Sequence, residues 1–238
     1  MSGLSSLFVY LEDQPLLWLF VTLAVYLLTS HIQGIHRLCS LISPVLFSAC
    51  LITLILWAAD IAYADYFAGA QFIHVMLGPA IVGLAVPVSR QAPALWRARY
   101  AVLAALICGA LVTTVGAILL AQVFDLSASL TASLAPKSVT APIAMGIAEE
   151  LGGLTSIAAV LAVVTGIAGA VIATPLFNVL GFSDWRARGF AVGVNSHGIG
   201  VAHAFHIHPI AGTFATIGMA LNGVFSSAVM PALFLILV

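Results

Sequence analysis

Uncharged apolar runs, each long enough to cross a lipid bilayer, recur along this chain and constrain its fold more than any other feature. A helix rises about 1.5 Å per residue, so about 20 apolar residues span the roughly 30 Å hydrocarbon core. The composition agrees with this environment, since 63% of the residues are hydrophobic and only 6% are charged. We therefore predict an all-α polytopic membrane protein with about six full spans, at Leu7–Leu28, Leu41–Ala59, Gln71–Val88, Tyr100–Phe124, Leu154–Leu180 and Gly212–Val238.

Charge and cysteine content narrow the possible partners. The net charge is −1 and the seven basic residues are scattered, so no basic stripe is available to follow a phosphate backbone and nucleic acid is excluded. Cys39, Cys50 and Cys108 lack the spacing of a disulfide framework or a cysteine metal site. No basic residue precedes the first apolar run, which predicts an uncleaved anchor rather than a signal peptide. We expect the lipid bilayer as the environment and no cofactor.

The arginines predict how the chain is oriented. They occupy alternate connections between the predicted spans, whereas Asp60, Asp65 and Asp125 occupy the other connections. Under the positive-inside rule the arginine-containing connections are cytoplasmic, which leaves the N-terminus outside. The arginines concerned are Arg37, Arg90, Arg97, Arg99, Arg186 and Arg188.

This orientation predicts two re-entrant segments. If residues 136–152 crossed the bilayer completely, Arg186 and Arg188 would face the outside. A segment that enters and turns back removes this conflict, so we expect Leu126–Leu151 to enter from the outside and Gly189–His208 to enter from the inside. Both termini would then be extracytoplasmic.

An internal repeat supports the re-entrant interpretation. The sequence from Ser138 aligns with the sequence from Ser196, and Pro175 then falls close to Pro231. Each unit is a polar, broken segment followed by one span, so the two units must have opposite orientations. We expect an inverted repeat of two broken hairpins in residues 125–238, as in an elevator-type transporter, with residues 1–124 as scaffold helices. Chance similarity between apolar sequences is the alternative explanation.

The tips of the two broken segments contain the candidate binding residues. Lys137 is the only lysine in the chain, and a cation within the bilayer costs several kcal/mol unless it is paired or hydrated. Half-helices starting near the two tips would direct N–H groups and positive dipole ends towards an anion. An interfacial lysine that extends to lipid headgroups is the alternative. The predicted substrate-binding residues are Lys137, Ser138, Thr140, Asn195, Ser196 and His197.

Other titratable residues have weaker functional interpretations. His203, Glu149 and Glu150 are candidates for proton coupling, although solvated acids and a packed histidine are the simpler explanation. The three histidines from 203 to 208 are not spaced to share one helical face, so no metal is expected. Ser138 with His197 does not predict an enzyme, because no carboxylate is spaced to orient the imidazole.

Three stretches resemble the signature regions of the LrgB/CidB family: "PKSVTAPIAM" at 136–145, residues 66–91 and residues 186–204. Bacterial members are named for modulating murein hydrolase activity and autolysis, in a holin/antiholin-like system with a small LrgA/CidA-like membrane partner. Plant members are plastidic glycolate/glycerate translocators, which implies transport of small monocarboxylates. Gly146 and His203 depart from the family pattern, in which glutamate and arginine are frequent.

The resemblance and the tips together predict a carrier of glycolate, glycerate, lactate or pyruvate in the bacterial inner membrane, and we expect it to be a homodimer. Two polar tips would be superfluous in a holin-like pore, which needs only amphipathic or small-residue faces. A holin/antiholin-like protein that modulates murein hydrolases is the alternative.

Overall fold

A computed structural model describes residues 15–35, 44–83 and 85–238 of the chain. These residues form helices and no strand, which confirms the all-α prediction. The first predicted span begins at Leu7, so its start lies outside the described residues, as do Arg37 and Cys39. The helices are α1 Pro15–Ile35, α2 Pro44–Ala58, α3 Tyr63–Gly83, α4 Ala85–Arg90, α5 Ala92–Arg97, α6 Arg99–Val123, α7 Ala128–Leu134, α8 Ala141–Glu150, α9 Thr155–Val179, α10 Trp185–Ile207 and α11 Pro209–Leu237.

One compact unit contains the described residues up to Ala85, and within it α1 packs against both α2 and α3. The contacts include polar groups on otherwise apolar helices. Thr29 and Ser48 share a hydrogen bond of 2.6 Å between their hydroxyls, and the Thr22 hydroxyl lies 3.1 Å from the Tyr66 hydroxyl. Hydrogen bonds of this kind join helices where apolar burial alone gives little preference for protein over lipid.

The second compact unit, residues 86–238, contains the three longest helices. Among the described residues, α6, α9 and α11 are long and apolar enough to cross a membrane. They coincide with three of the six predicted spans. The described parts of the first two predicted spans lie in the shorter apolar helices α1 and α2.

The structure differs from the predicted third span, Gln71–Val88. Helix α3 begins at Tyr63, before the predicted span, and the described residues 85–90 that follow are also helical. The polar residues before Gln71 belong to the helix because Asp65 lies in its first turn, where a carboxylate interacts favourably with the positive end of the helix dipole.

A first break, residues 135–140, separates α7 from α8. Pro136 and Pro142 lack a backbone N–H and so favour the start of a helix over its interior, and Thr140 has an extended backbone (φ −61°, ψ 148°). After the break the chain returns along itself, since the Leu154 N–H donates to the Ser133 hydroxyl at 2.7 Å. One continuous helix would place these residues about 30 Å apart.

A second break, residues 195–198, divides α10. His197 has φ 39° and ψ −136°, a backbone conformation that no helix contains. The ring centroids of Trp185 and His208 are 4.9 Å apart with parallel planes, although a straight helix of this length would hold them about 34 Å apart. Helix α10 therefore doubles back at His197, so that its two halves form a hairpin.

The two hairpins are followed by long helices in the same order. Helix α7, the first break and α8 form the first hairpin, and α9 follows it. The first half of α10, the second break and the second half of α10 form the second hairpin, and α11 follows it in the same way. Both long helices contain an internal proline, Pro175 and Pro231. The order is that of the predicted repeat, and the opposite orientation of its units stays a prediction.

Helix α6 belongs to the same compact unit as the two hairpins and contacts α7, α10 and α11. The boundary between the compact units therefore lies near residue 85. A functional division into scaffold helices 1–124 and a core 125–238 stays a prediction.

The fold-back of both hairpins predicts a labelling pattern. Single cysteines at Ala128 and Glu150 should react with an impermeant thiol reagent from one face of the membrane, because they flank the first hairpin. Cysteines at Ser183 and His206 should react from the opposite face, because the crossing helix α9 lies between the hairpins. The native cysteines are first replaced by alanine. Labelling of Ser183→Cys and His206→Cys from opposite faces would show that α10 crosses completely.

Candidate functional site

The first break holds Lys137 against α6. Its ammonium nitrogen Nζ donates to the backbone carbonyl of Thr113 at 3.0 Å, and the residue is half-buried. An ammonium has three N–H donors. Within the described part of the chain the one ion pair is Arg186 with Asp184, so Lys137 has no carboxylate partner there. The site therefore contains a partly desolvated positive charge that can accept an anion.

Ser138 and Thr140 differ in their surroundings. Ser138 is buried, with its hydroxyl 3.4 Å from the Thr113 hydroxyl. Thr140 occupies the cap position of α8, but its side chain makes no capping hydrogen bond.

The second break packs tightly against α9. The His197 ring nitrogen Nε2 lies 2.8 Å from the Ala162 carbonyl oxygen, and Ser196 is buried. A Cβ atom at Gly169 would overlap the Ser196 hydroxyl, and one at Gly166 would lie 2.7 Å from the His197 ring. These two glycines let α9 approach closely enough to contact the break.

Asn222 in α11 joins the two breaks. Its amide nitrogen Nδ2 donates to the Ser138 carbonyl at 3.2 Å and to the Val194 carbonyl at 2.8 Å. Its oxygen Oδ1 accepts a hydrogen bond of 3.1 Å from Ser226. Asn222 is buried. Carbonyls from both hairpins thus lie within hydrogen-bond distance of one nitrogen atom, and we call this region the junction.

Sequence reasoning missed Asn222 and Thr113. The signal for Asn222 was present, because an amide inside an apolar helix is costly unless it is hydrogen-bonded and so suggests a specific partner. The signal for Thr113 was absent, because the group that contacts Lys137 is a backbone carbonyl.

The predicted proton-coupling residues lie apart from the predicted substrate-binding residues. Glu149 and Glu150 are exposed at the end of α8. His203 lines a small cavity between the two halves of α10, together with Trp185 and Arg188 near the ends of that hairpin. A role for these residues in proton coupling stays a prediction.

A groove between α9 and α10 leads to the second break. It encloses about 460 Å³ and has mostly apolar walls, with Thr165, Asn195 and Ser196 among its lining residues. This volume lies in the range of small-molecule pockets, which combine apolar walls with a few polar groups. The half-buried amide of Asn195 therefore has access to the groove.

The connection before α10 is fixed by arginines. Asp184 caps the helix by accepting from the Arg186 N–H at 2.8 Å, and the hydrogen bond from the Arg186 side chain lowers the pKa of Asp184 to about 2. Arg188 donates to the Phe182 carbonyl and to the Asn178 side chain, both at 2.6 Å. These contacts anchor the base of the second hairpin. The Asp184 carboxylate is ionised over the whole physiological pH range, so its ion pair with Arg186 persists over that range.

Helices of bilayer length, two hairpins that break in their interior and a half-buried lysine in the first break define a helical membrane protein with interrupted helices. The model of the LrgB-like family matches residues 22–236. The chain belongs to this family, which confirms the resemblance seen in the sequence.

Several relatives match over nearly their full length. The holin-like protein CidB of Staphylococcus epidermidis is 27% identical over 94% of this chain and 97% of its own length. An uncharacterised protein of Haemophilus influenzae is 30% identical over 93% of this chain and 96% of its own. The Bacillus subtilis protein YwbG is 29% identical over 90% and 95%, respectively. No solved structure gives a significant match.

The packing at the second break predicts opposite effects for two glycine substitutions. Gly169→Ala should destabilise the protein by about 1–3 kcal/mol, because the added methyl group overlaps Ser196 in a packed interior. Gly116→Ala should stabilise it by about 0.5–1 kcal/mol, because nothing lies within 4 Å of the added atom and alanine favours a helix. Thermal unfolding in detergent measures both. Equal midpoints for Gly169→Ala and the wild type would contradict the packing described here.

Proposed function

We propose that this protein is a holin-like membrane protein of the CidB type, a multi-pass protein of the bacterial plasma membrane that modulates murein hydrolase activity and autolysis. The observation that carries the proposal is the near-complete match to proteins named holin-like CidB. This match includes residues of both compact units and both breaks, which supports extending the relatives' role to this chain. The sequence alone favoured a carrier, and the relatives' names favour the holin-like alternative.

The exposed faces of the long helices are compatible with this role. In the most apolar 18-residue stretch of each long helix, only 28% of the residues of α6, 22% of those of α9 and 28% of those of α11 are buried within the protein. The exposed apolar surface is suited to lipid, to a second copy of the chain or to a small LrgA/CidA-like partner, because all three offer apolar contacts. Association through such faces is what a holin-like system requires.

Gene deletion should alter autolysis. We expect cells without the protein to lyse in detergent at a rate at least several-fold different from that of the parent, and to show a changed murein hydrolase pattern on a zymogram. Expression of the wild-type chain should restore the parental rate. Identical lysis curves and zymograms with and without the gene would contradict the proposal.

A second candidate function, transport of small monocarboxylates, is favoured by the charge at Lys137. A carboxylate that leaves water needs a counter-charge, and two helix N-termini supply only about half a charge each. Lys137 has a backbone carbonyl as its acceptor and no carboxylate among the described residues. In this proposal Lys137 neutralises the substrate, and the hydroxyl, amide, imidazole and backbone groups that orient it are those of Ser138, Thr140, Asn195, Ser196 and His197.

The carrier proposal includes the inverted repeat. The shared order of hairpin and long helix in the two halves supports it. In an elevator-type mechanism the two hairpins would carry the substrate between the faces of the membrane, while other helices stay fixed as a scaffold. A holin-like protein requires no such movement, so the two candidates differ in whether function depends on a saturable site.

Substitution of Lys137 separates the two candidates. In proteoliposomes, Lys137→Met should abolish saturable uptake of labelled glycolate, glycerate, lactate and pyruvate, because the counter-charge is lost. Lys137→Arg should retain part of the uptake, because its charge survives although the planar guanidinium fits less well. Uptake is compared with and without a pH gradient, and the folded fraction is measured by thermal unfolding. Equal uptake by the wild type and Lys137→Met would exclude Lys137 as the counter-charge.

Alanine substitutions test the remaining binding groups. Replacing Ser138, Thr140, Asn195 or Ser196 should weaken apparent substrate affinity by about 1–3 kcal/mol where a buried partner loses its hydrogen bond. Ser227→Ala is the matched control, because that hydroxyl bonds only its own helix at the Gly223 carbonyl, at 2.8 Å. Affinity that is unchanged in all four variants would exclude the junction as the binding site.

A further inference from the structure

We propose that Asn222 is the positioning residue of the junction, and that its amide clasps the two breaks together. The proposal deepens the carrier site described above and rests on it for its functional consequence, although the clasp itself can be tested without transport. The observation behind it is that one amide nitrogen donates to carbonyls of Ser138 and Val194, which lie in different hairpins.

Both carbonyls lie next to the interruptions of their hairpins. In a regular helix the Val194 carbonyl would accept from the N–H four residues later, and the non-helical backbone at His197 disturbs that turn. The Ser138 carbonyl lies in the turn between α7 and α8, where no helical ladder exists. A buried carbonyl without a donor is destabilising, and lipid supplies none. Asn222 therefore supplies hydrogen-bond donors to carbonyls beside the two breaks.

The three hydrogen bonds use both donors and the acceptor oxygen of the asparagine side chain. The amide nitrogen has two N–H donors, and the structure uses one for each carbonyl. The two carbonyls fix the orientation of the amide, because they accept and cannot donate, and the amide oxygen then accepts from Ser226. An ionised aspartate has the same shape and no donor, and leucine has a similar volume and no polar atom. Neither can hold the two carbonyls.

Two glycines in helix α11 allow Asn222 to lie close to both hairpins. A Cβ atom at Gly218 would lie 2.5 Å from the Phe190 carbonyl, and one at Gly223 would lie 3.0 Å from the Ile143 side chain. The helix thus approaches the second hairpin on one side of Asn222 and the first hairpin on the other. Separation of the hairpins at the junction requires that the Asn222 bonds break.

The clasp determines whether positions 138 and 196 stay inaccessible to a thiol reagent. Both are buried, with 1% of their surface exposed. In a chain whose native cysteines are replaced by alanine, Ser138→Cys and Ser196→Cys should react slowly with N-ethylmaleimide. Adding Asn222→Asp or Asn222→Leu should raise both rates about tenfold or more, as expected when buried groups lose their partners.

Three control variants make the result specific. Ser226→Ala removes the hydroxyl on the amide oxygen but leaves both carbonyl bonds, so its labelling rates should stay within about twofold of the parent, and Ser227→Ala should do the same. A cysteine at Thr216, which is buried elsewhere on α11, should stay unreactive in the Asn222 variants. If Thr216→Cys becomes as reactive as the junction cysteines, Asn222 supports the whole fold and the clasp proposal is overturned.

Uptake of labelled lactate then separates the clasp from the carrier function. Asn222→Asp should weaken the apparent affinity for lactate about tenfold or more at an unchanged folded fraction. Raised labelling with no lactate uptake by any variant, the wild type included, would support the clasp and count against the carrier. Labelling of Ser138→Cys and Ser196→Cys that does not change with Asn222→Asp or Asn222→Leu would overturn the clasp, whatever the uptake.

Discussion

The satisfaction of backbone hydrogen bonds away from water is the constraint on which the second compact unit depends. A helix satisfies its own N–H and C=O groups, and each interruption releases several of them in a region where lipid offers no partner. The structure supplies these partners from side chains of neighbouring helices, above all the Asn222 amide at the Ser138 and Val194 carbonyls. The breaks can exist because other helices surround them, so the hairpins, α6, α9 and α11 form one packing unit.

Close approach of helices follows from this constraint. Several side chains at the breaks are short, among them Ser138 and Ser196, so the helices that contact them must come near, and glycine permits this at the points of contact. Gly169 leaves room for Ser196, and Gly189 and Gly193 leave room for the Ala211 and Ala215 carbonyls of α11. A methyl group at these positions would separate the helices and remove the hydrogen-bond partners together with the apolar contacts. The polar breaks therefore depend on the small residues, because the glycines let neighbouring helices come close enough to contact them.

The sequence predicted the features that depend on local chemistry. Uninterrupted apolar runs predicted α6, α9 and α11, and Pro136, Pro142 and the lone Lys137 predicted the first break. The second break followed from the alignment of Ser196 with Ser138, although the strained residue is His197. Helix α3 extends beyond the start of the predicted span Gln71–Val88, because its first turn is polar. The role of Asn222 could not be predicted, since it depends on carbonyls that are distant in sequence and that only the folded chain brings together.

The charge of Lys137, which precedes Ser138 in the first break, connects the fold to both candidate functions. Arg186 and Arg188 satisfy their guanidinium groups at the base of a hairpin, with a carboxylate, a carbonyl and an amide. Lys137 contacts a carbonyl, which is a dipole and leaves a net charge uncompensated. A charge of this kind is stable at membrane depth only with water or an anion nearby. Water throughout the junction corresponds to a pore-like state, whereas an anion held there without a continuous water path corresponds to a carrier, so the hydration of Lys137 is the physical property that distinguishes the two functions.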